Sequence, residues 1–440
     1  MKKLTLLLWG GLLLVCLNSS AWAQYYGYTQ AIGGVSIDRD MVKNATQEMR
    51  KSLKQEVLSK LQAIPEGLDQ VSSERKVSLK KMDAALKEAM EKKSPVPDSV
   101  RFLGGLTSIH YVAALPEEND IVLVGPAEGW TVGDFGTVIG KDSGKPILLL
   151  EDLITVFRTW NTSQPELISC SIDPTPEGRT RLNENRSELR SIRDPETQAE
   201  KIRDLLGAQA VTLTGVPADS RYANIMVAAD YRMKRIGLKL DPAPISRFPS
   251  YVEMVRSTRE STAPRFWMVG QMNQIKHDES KMVWDMGSVK IITLTAREHI
   301  DQSGNRAEAV KTDAAAKRWA DMMTKRYNEL ADVDYSFAEL RNCVDLAGVV
   351  AVVYSQQLHQ KVNCPLPTIL NQSLKLPGYN APKTVATEYS IVQPVRGSIF
   401  VGCGGVEVNP MSGILAAKQD NALAEVAERL NFTGDDWWSN

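Results

Sequence analysis

Asp173, Arg221 and Asp230 are the residues of this sequence best placed to do chemistry. Two carboxylates and a guanidinium gathered at strand ends could pass a proton and hold an anion, which is the equipment of a hydrolase; general acid–base pairs work within about 10 Å of each other. The plainer alternative for the same residues is helix capping and helix-face ion pairing. Other chemistries fail on spacing. His110, His277, His299 and His359 are scattered, and none stands in an H-E-x-x-H or other i, i+4 ligand pair. There is no G-x-S-x-G elbow and no complete serine–lysine set of the penicillin-binding type. Asp38-Arg39-Asp40 opens like a calcium loop but lacks its glycine and closing glutamate. Residues 136–141, Gly-Thr-Val-Ile-Gly-Lys, have the wrong glycine spacing for a phosphate loop and are predicted to form a hairpin turn. No cofactor or metal site is expected.

The elements that must position the three residues are two strand-to-helix units. Cys170-Ser171-Ile172-Asp173 reads as a strand end, followed by Pro174-Thr175-Pro176-Glu177-Gly178 and a charged helical region to Leu206. Val35-Ser36-Ile37-Asp38 and Val406-Glu407-Val408-Asn409 repeat the pattern of a few strand residues ending in Asp or Asn, as an Asx side chain at a strand-to-helix junction would require. Residues 210–214 form the second strand, and a helix over 219–236 turns Ile225, Met226, Ala229 and Met233 inward. Its loop lacks G-x-G-x-x-G, so a dinucleotide site is not expected.

Elsewhere, helices are predicted over 44–61 and 75–93 as a hairpin, antiparallel strands over 108–115, 120–124 and 146–150, and a helix over 151–160. A second antiparallel group falls in 264–294, and helices over 313–330 and 338–360, the latter apolar enough through 346–353 for a central core helix. Strands over 384–392 and 397–401, a helix near 414–430 and a tail bearing Trp437 and Trp438 complete the chain. The fold class is α+β, with mixed, largely antiparallel strands, several long helices and β-loop-α units. The expected division is a signal peptide at 1–23, a strand and helical hairpin at 24–97, an α/β region at 98–241 and an α+β region with the core helix at 242–440, boundaries that one compact unit could dissolve. Asp241-Pro242-Ala243-Pro244 marks the last junction.

Lys2 and Lys3 followed by an apolar run over 4–17 and Ala21-Trp22-Ala23 read as an export signal cut between Ala23 and Gln24, the run being shorter than the ~18 residues of a membrane span. Cys16 follows Val15, not the small residue a lipid anchor needs. Among 440 residues, 52 basic side chains oppose 53 acidic ones. Removing Lys2 and Lys3 with the signal leaves 50 against 53, a mildly acidic chain of net charge −3 with no footprint for nucleic acid. Four cysteines remain, Cys170, Cys343, Cys364 and Cys403. A Cys343–Cys364 bridge would break the predicted helix, which carries the chain roughly 25 Å away and leaves residues to return only about 14 Å. Cys170 and Cys403, both in strand-like segments, are the candidate disulfide, with four buried thiols as the alternative.

Residues 31–38 (Ala-Ile-Gly-Gly-Val-Ser-Ile-Asp), 119–130, 171–178, 228–235 (Ala-Ala-Asp-Tyr-Arg-Met-Lys-Arg) and 339–347 (Glu-Leu-Arg-Asn-Cys-Val-Asp-Leu-Ala) resemble the signature segments of a secreted bacterial family found mainly in planctomycetes and known only as a domain of unknown function. The resemblance spans most of the processed chain and implies an exported bacterial protein, but it brings no catalytic residues. The resulting expectation is a soluble periplasmic or extracellular binding or assembly module, with an envelope protein or glycan as partner and no transmembrane segment after processing. The alternative is a hydrolase at Asp173, Arg221 and Asp230.

Overall fold

In the computed structural model, residues 31–39, 41–163, 165, 167–256, 263–300, 306–308, 314–392, 398–430 and 436–440 are described; the expected signal cleavage at Ala23 and Gln24 lies outside them. Six helices organise the core: α1 (Leu150–Ser163), α2 (Pro176–Glu184), α3 (Pro195–Leu206), α4 (Arg221–Gly237), α5 (Ala314–Ala331) and α6 (Tyr335–Ser355). Their starts are written locally. Thr175, Asp194, Ser220 and Asp334 each cap the following helix by accepting a backbone N–H, and Pro176 and Pro195 occupy first-turn positions where no donor is missed.

The central sheet has six strands in the order 288–295, 265–273, 403–408, 168–174, 209–214 and 384–385. Only the pair 265–273 with 403–408 is parallel; the other neighbours are antiparallel. Strands from 98–241 thus lie beside strands from 242–440 within one sheet. A second sheet has seven strands in the order 418–419, 276–277, 283–285, 111–115, 120–127, 72–78 and 438–439, again with one parallel pair. The α+β class, mixed and largely antiparallel, therefore holds.

Helix α4 packs on strands 168–174 and 403–408, α5 on 288–295, and α6 on 265–273, with α1 behind α4 and α6. Helix α6 is buried almost throughout, from Cys343 to Val353 without an exposed residue, as its apolar run requires. It comes so close to the sheet that a Cβ on Gly270 would lie 2.2 Å from Val344 Cγ2. Gly404, at φ +126, does the same for the parallel pair: a Cβ there would meet the carbonyl oxygen of Phe266 at 1.8 Å.

Residues 146–150 form no strand, Leu150 opening α1 instead, and Val138–Gly140 is a strand paired with Trp130–Val132 where a turn is expected; four further readings change. Residues 72–78 are a strand, so the helix that follows starts only at Leu79 and the predicted helical hairpin does not form. Non-local pairing with 120–127 and with Trp438–Ser439 overrides a helix-like composition. Arg75 in that strand is fully buried, its guanidinium donating to the carbonyls of Leu68, Gly104, Gly67 and Gln70 and to Asn440, and burial lowers its pKa to about 10. Trp438 stacks on it, so the tail packs on its own chain. Second, residues 35–38 turn into the hairpin strand Met41–Asn44 instead of a helix, whereas Asp173 and Asn409 do stand at strand-to-helix junctions. Third, the helix expected near 414–430 is two short ones, 411–415 and 423–429, with strand 418–419 between them. Fourth, Cys170 and Cys403 are not bridged; both are free and buried, as are Cys343 and Cys364. Cys170 lies across from Val406, so Cys403 is three residues along the neighbouring strand, about 10 Å away and on the opposite face.

Candidate functional site

Helix α4 carries two of the three sequence-derived candidates, and it separates them. Arg221 stands in its first turn, directly after the Ser220 cap. Its Nη1 donates to Asp152 and its Nη2 pairs with Glu339 Oε1 at 2.7 Å, while Nε lies 3.9 Å from Glu151 Oε1. Glu151 and Asp152 open α1 and Glu339 lies in the second turn of α6, so three helix starts meet around one guanidinium. All three carboxylates are buried, and one oxygen each of Asp152 and Glu339 has no hydrogen-bond partner among the described residues. Burial, and then the charge of Asp152, pushes Glu151 up to about 7; burial likewise raises Asp152 and Glu339.

Asp230 is nine residues further on, about 13 Å along the helix. It is wholly buried, bonded by Lys234 at 2.8 Å and pushed up to about 6 by that burial. Lys234 also donates to the carbonyl of Ile172, and Asp173 next to it pairs with Arg265 at 2.7 Å. The structure thus brings Asp173 and Asp230 into one charged cluster and puts Arg221 in another.

A larger cavity lies elsewhere, a cleft of about 680 Å³ between the two sheets. Its floor is α6, through Arg341, Asn342 and Asp345; its sides come from residues 107–110 and 126–128 of the second sheet and from Ser288 and Val289 of the central one. Two of the segments that carry the family resemblance, 119–130 and 339–347, therefore converge here. Asp345 Oδ2 accepts the backbone N–H of Ile109 at 2.7 Å, and Oδ1 has no partner among the described residues. Burial pushes Asp345 up to about 7, against the Ile109 hydrogen bond and the charge of Arg341 one helical turn away. Asn342 is tied to the carbonyls of Pro146 and Ile147, and Glu128 accepts the N–H groups of Asp142 and Ser143, so both shape the walls. Exposed polar residues around the opening include His110, Asp142, Ser143, Lys145, Ser288 and Asn328, and Arg341 is half-buried among them.

Sequence reasoning missed Glu151, Asp152, Glu339 and Asp345. Asp345 did leave a signal, since a carboxylate amid the most apolar helix of the chain is expensive to bury without a purpose or a partner. Glu151 and Asp152 left none, because acidic residues in a first helical turn are ordinary. Among the described residues no group of three or more His, Cys, Asp or Glu side chains could hold a metal ion, and no helix is long and apolar enough to cross a membrane.

Against known proteins, neither the curated sequences nor the solved structures give a match. Residues 170–251, from the strand bearing Asp173 through α2, α3 and α4, match a family described as Protein of unknown function (DUF1598).

Proposed function

We propose that this is an exported binding module, processed between Ala23 and Gln24, whose ligand occupies the cleft between the two sheets. The observation that carries the reading is Asp345, a nearly buried carboxyl in the floor of this cleft with one oxygen unpartnered among the described residues. Convergent polar groups around a perturbed carboxyl are the usual mark of a ligand site. The mixture of hydroxyl, amide, guanidinium and carboxyl groups suits a polar, hydrogen-bonding ligand such as an envelope glycan or a peptide segment, not an extended polyanion. Export rests on the n-region, apolar run and Ala-Trp-Ala site of residues 1–23.

Melting the protein against envelope saccharides and peptides tests the cleft, since a ligand at about 100 times its Kd stabilises the native state by ~2.7 kcal/mol. A polar ligand that raises the melting temperature of the wild type should lose most of that effect in Asp345→Asn and in Ser288→Trp, which obstructs the exposed rim. A ligand whose shift both variants retain would place binding elsewhere. Mass spectrometry of the exported chain should find Gln24 at its start; an intact N-terminus confined to the cytoplasm would overturn export. A hydrolase built on Asp173, Arg221 and Asp230 is the weaker reading, because Arg221 is engaged by other carboxylates and stands about two and a half helical turns from Asp230.

A further inference from the structure

A second cavity, of about 390 Å³, opens at the end of the central sheet where strand 168–174 hands over to α2. Leu182 of α2 and Ile202 and Leu206 of α3 form one wall, and Ile399, Val401 and Cys403 the other. The last three and Leu206 are each under 10% exposed, so these walls are apolar and closely packed. The polar lining is concentrated in Asp173, Arg179, Asn183 and Arg265. Two guanidiniums and one carboxylate line it, and the charge of Arg265 also reaches Asp230 and Glu407. Arg265 is held in place by its Nη2 bond to Asp173 at 2.7 Å and by stacking over Trp267, 4.9 Å from the ring centre, yet its buried Nε has no partner among the described residues. Arg179 is exposed on α2.

We propose that this cavity binds a small anionic amphiphile, an unbranched apolar chain ending in a carboxylate. The chain would lie between α2–α3 and the strand end, displacing water from the apolar lining, and the carboxylate would be taken by Arg265, through its unpartnered Nε, and by exposed Arg179. The volume falls within the range of small-molecule sites, about 300 to 1,000 Å³. The site is distinct from the cleft at Asp345, shares no lining residue with it, and does not depend on it. Most of its lining lies in the segment that matches the family of unknown function.

Calorimetry with decanoate and with uncharged 1-decanol, at pH 8 on the processed chain, tests both halves of the proposal. Decanoate should bind the wild type more tightly than decanol by roughly tenfold, the size expected of one charge-assisted contact. Arg179→Gln combined with Arg265→Gln should remove that preference while leaving decanol binding in place. Val401→Trp fills the cavity and should weaken both ligands about tenfold or more; Leu182→Trp, at a partly exposed helix position, does the same if the first variant folds poorly. Equal affinity for decanoate and decanol, a preference that survives loss of both arginines, or absence of decanoate binding to the wild type would overturn the proposal.

Discussion

The two ends of helix α4 handle charge in opposite ways. At its start one guanidinium, Arg221, serves three buried carboxylates, Glu151, Asp152 and Glu339. At its end two guanidiniums serve three carboxylates: Arg232 and Arg235 share Asp241, and each holds a further carboxylate, Asp334 and Glu388 respectively. Glu151 and Asp241 shift in opposite directions, although burial raises Glu388 as well. Burial wins at the start, where Glu151 is pushed up to about 7. At the end burial of Asp241 also opposes its charge, but hydrogen bonds from Arg235 and Asn44 and the charges of Arg235 and Arg232 outweigh it and hold the carboxylate below its usual pKa. The lesson is that a shared partner does not neutralise a buried cluster; the balance of charges does.

Removing the cation at the crowded end should have the largest effect. Arg221→Met leaves Asp152 and Glu339 without their paired cation and Glu151 with only the charge of Arg101, a change that costs about 3–5 kcal/mol when one partner of a buried pair is lost. The loss should be smaller at pH 5.5, where the carboxyls can take up protons, than at pH 8. Urea unfolding at the two pH values measures it, and an equal loss at both would mean that the cluster is not charged as described.

The contrast between the two ends was only half legible in the sequence. Helix α4 itself was readable, from the Ser220 cap to the inward row of Ile225, Met226, Ala229 and Met233, because caps and periodicity are local. So was Asp173 at its junction, where Thr175 and Pro176 start the next helix. What could not be read is which distant groups arrive. Arg221 meets Asp152 across 69 residues, and Asp345 meets Ile109 across 236. The strand at 72–78 was missed for the same reason: Glu74, Arg75 and Lys76 look like a helix surface until 120–127 and the C-terminal tail pair with them. Local physics writes the elements, whereas burial and charge balance at a site are decided by tertiary neighbours.

Glu151→Gln sharpens the comparison at intermediate size. A carboxyl whose proton is held more tightly in the folded chain than in the unfolded one contributes stability that is complete below the unfolded pKa, near 4.5, and lost as pH rises through about 7. The wild type should therefore weaken between pH 5 and 8, and the glutamine variant should weaken less, ending about 2 kcal/mol more stable than the wild type at pH 8. Urea midpoints across that range decide it. If the two slopes coincide, Glu151 does not titrate in the folded protein.

The smallest effect belongs to the end with two arginines. Arg235 grips both oxygens of Asp241, at 2.8 and 2.9 Å, but Arg232 and Asn44 also donate to that carboxylate and remain when Arg235 is replaced. Glu388, the other partner, is partly exposed and can turn to water. Arg235→Met should therefore cost only about 1 kcal/mol, within the range of accessible ion pairs. Because the Asp241 pKa is depressed, its contribution is present above about pH 4 and lost only as pH falls below that. The loss in Arg235→Met should accordingly be the same at pH 5.5 and pH 8, the opposite of the Arg221 result. A cost as large as that of Arg221→Met, or one that grows between those two pH values, would show that the two ends of the helix are not distinguished by charge balance.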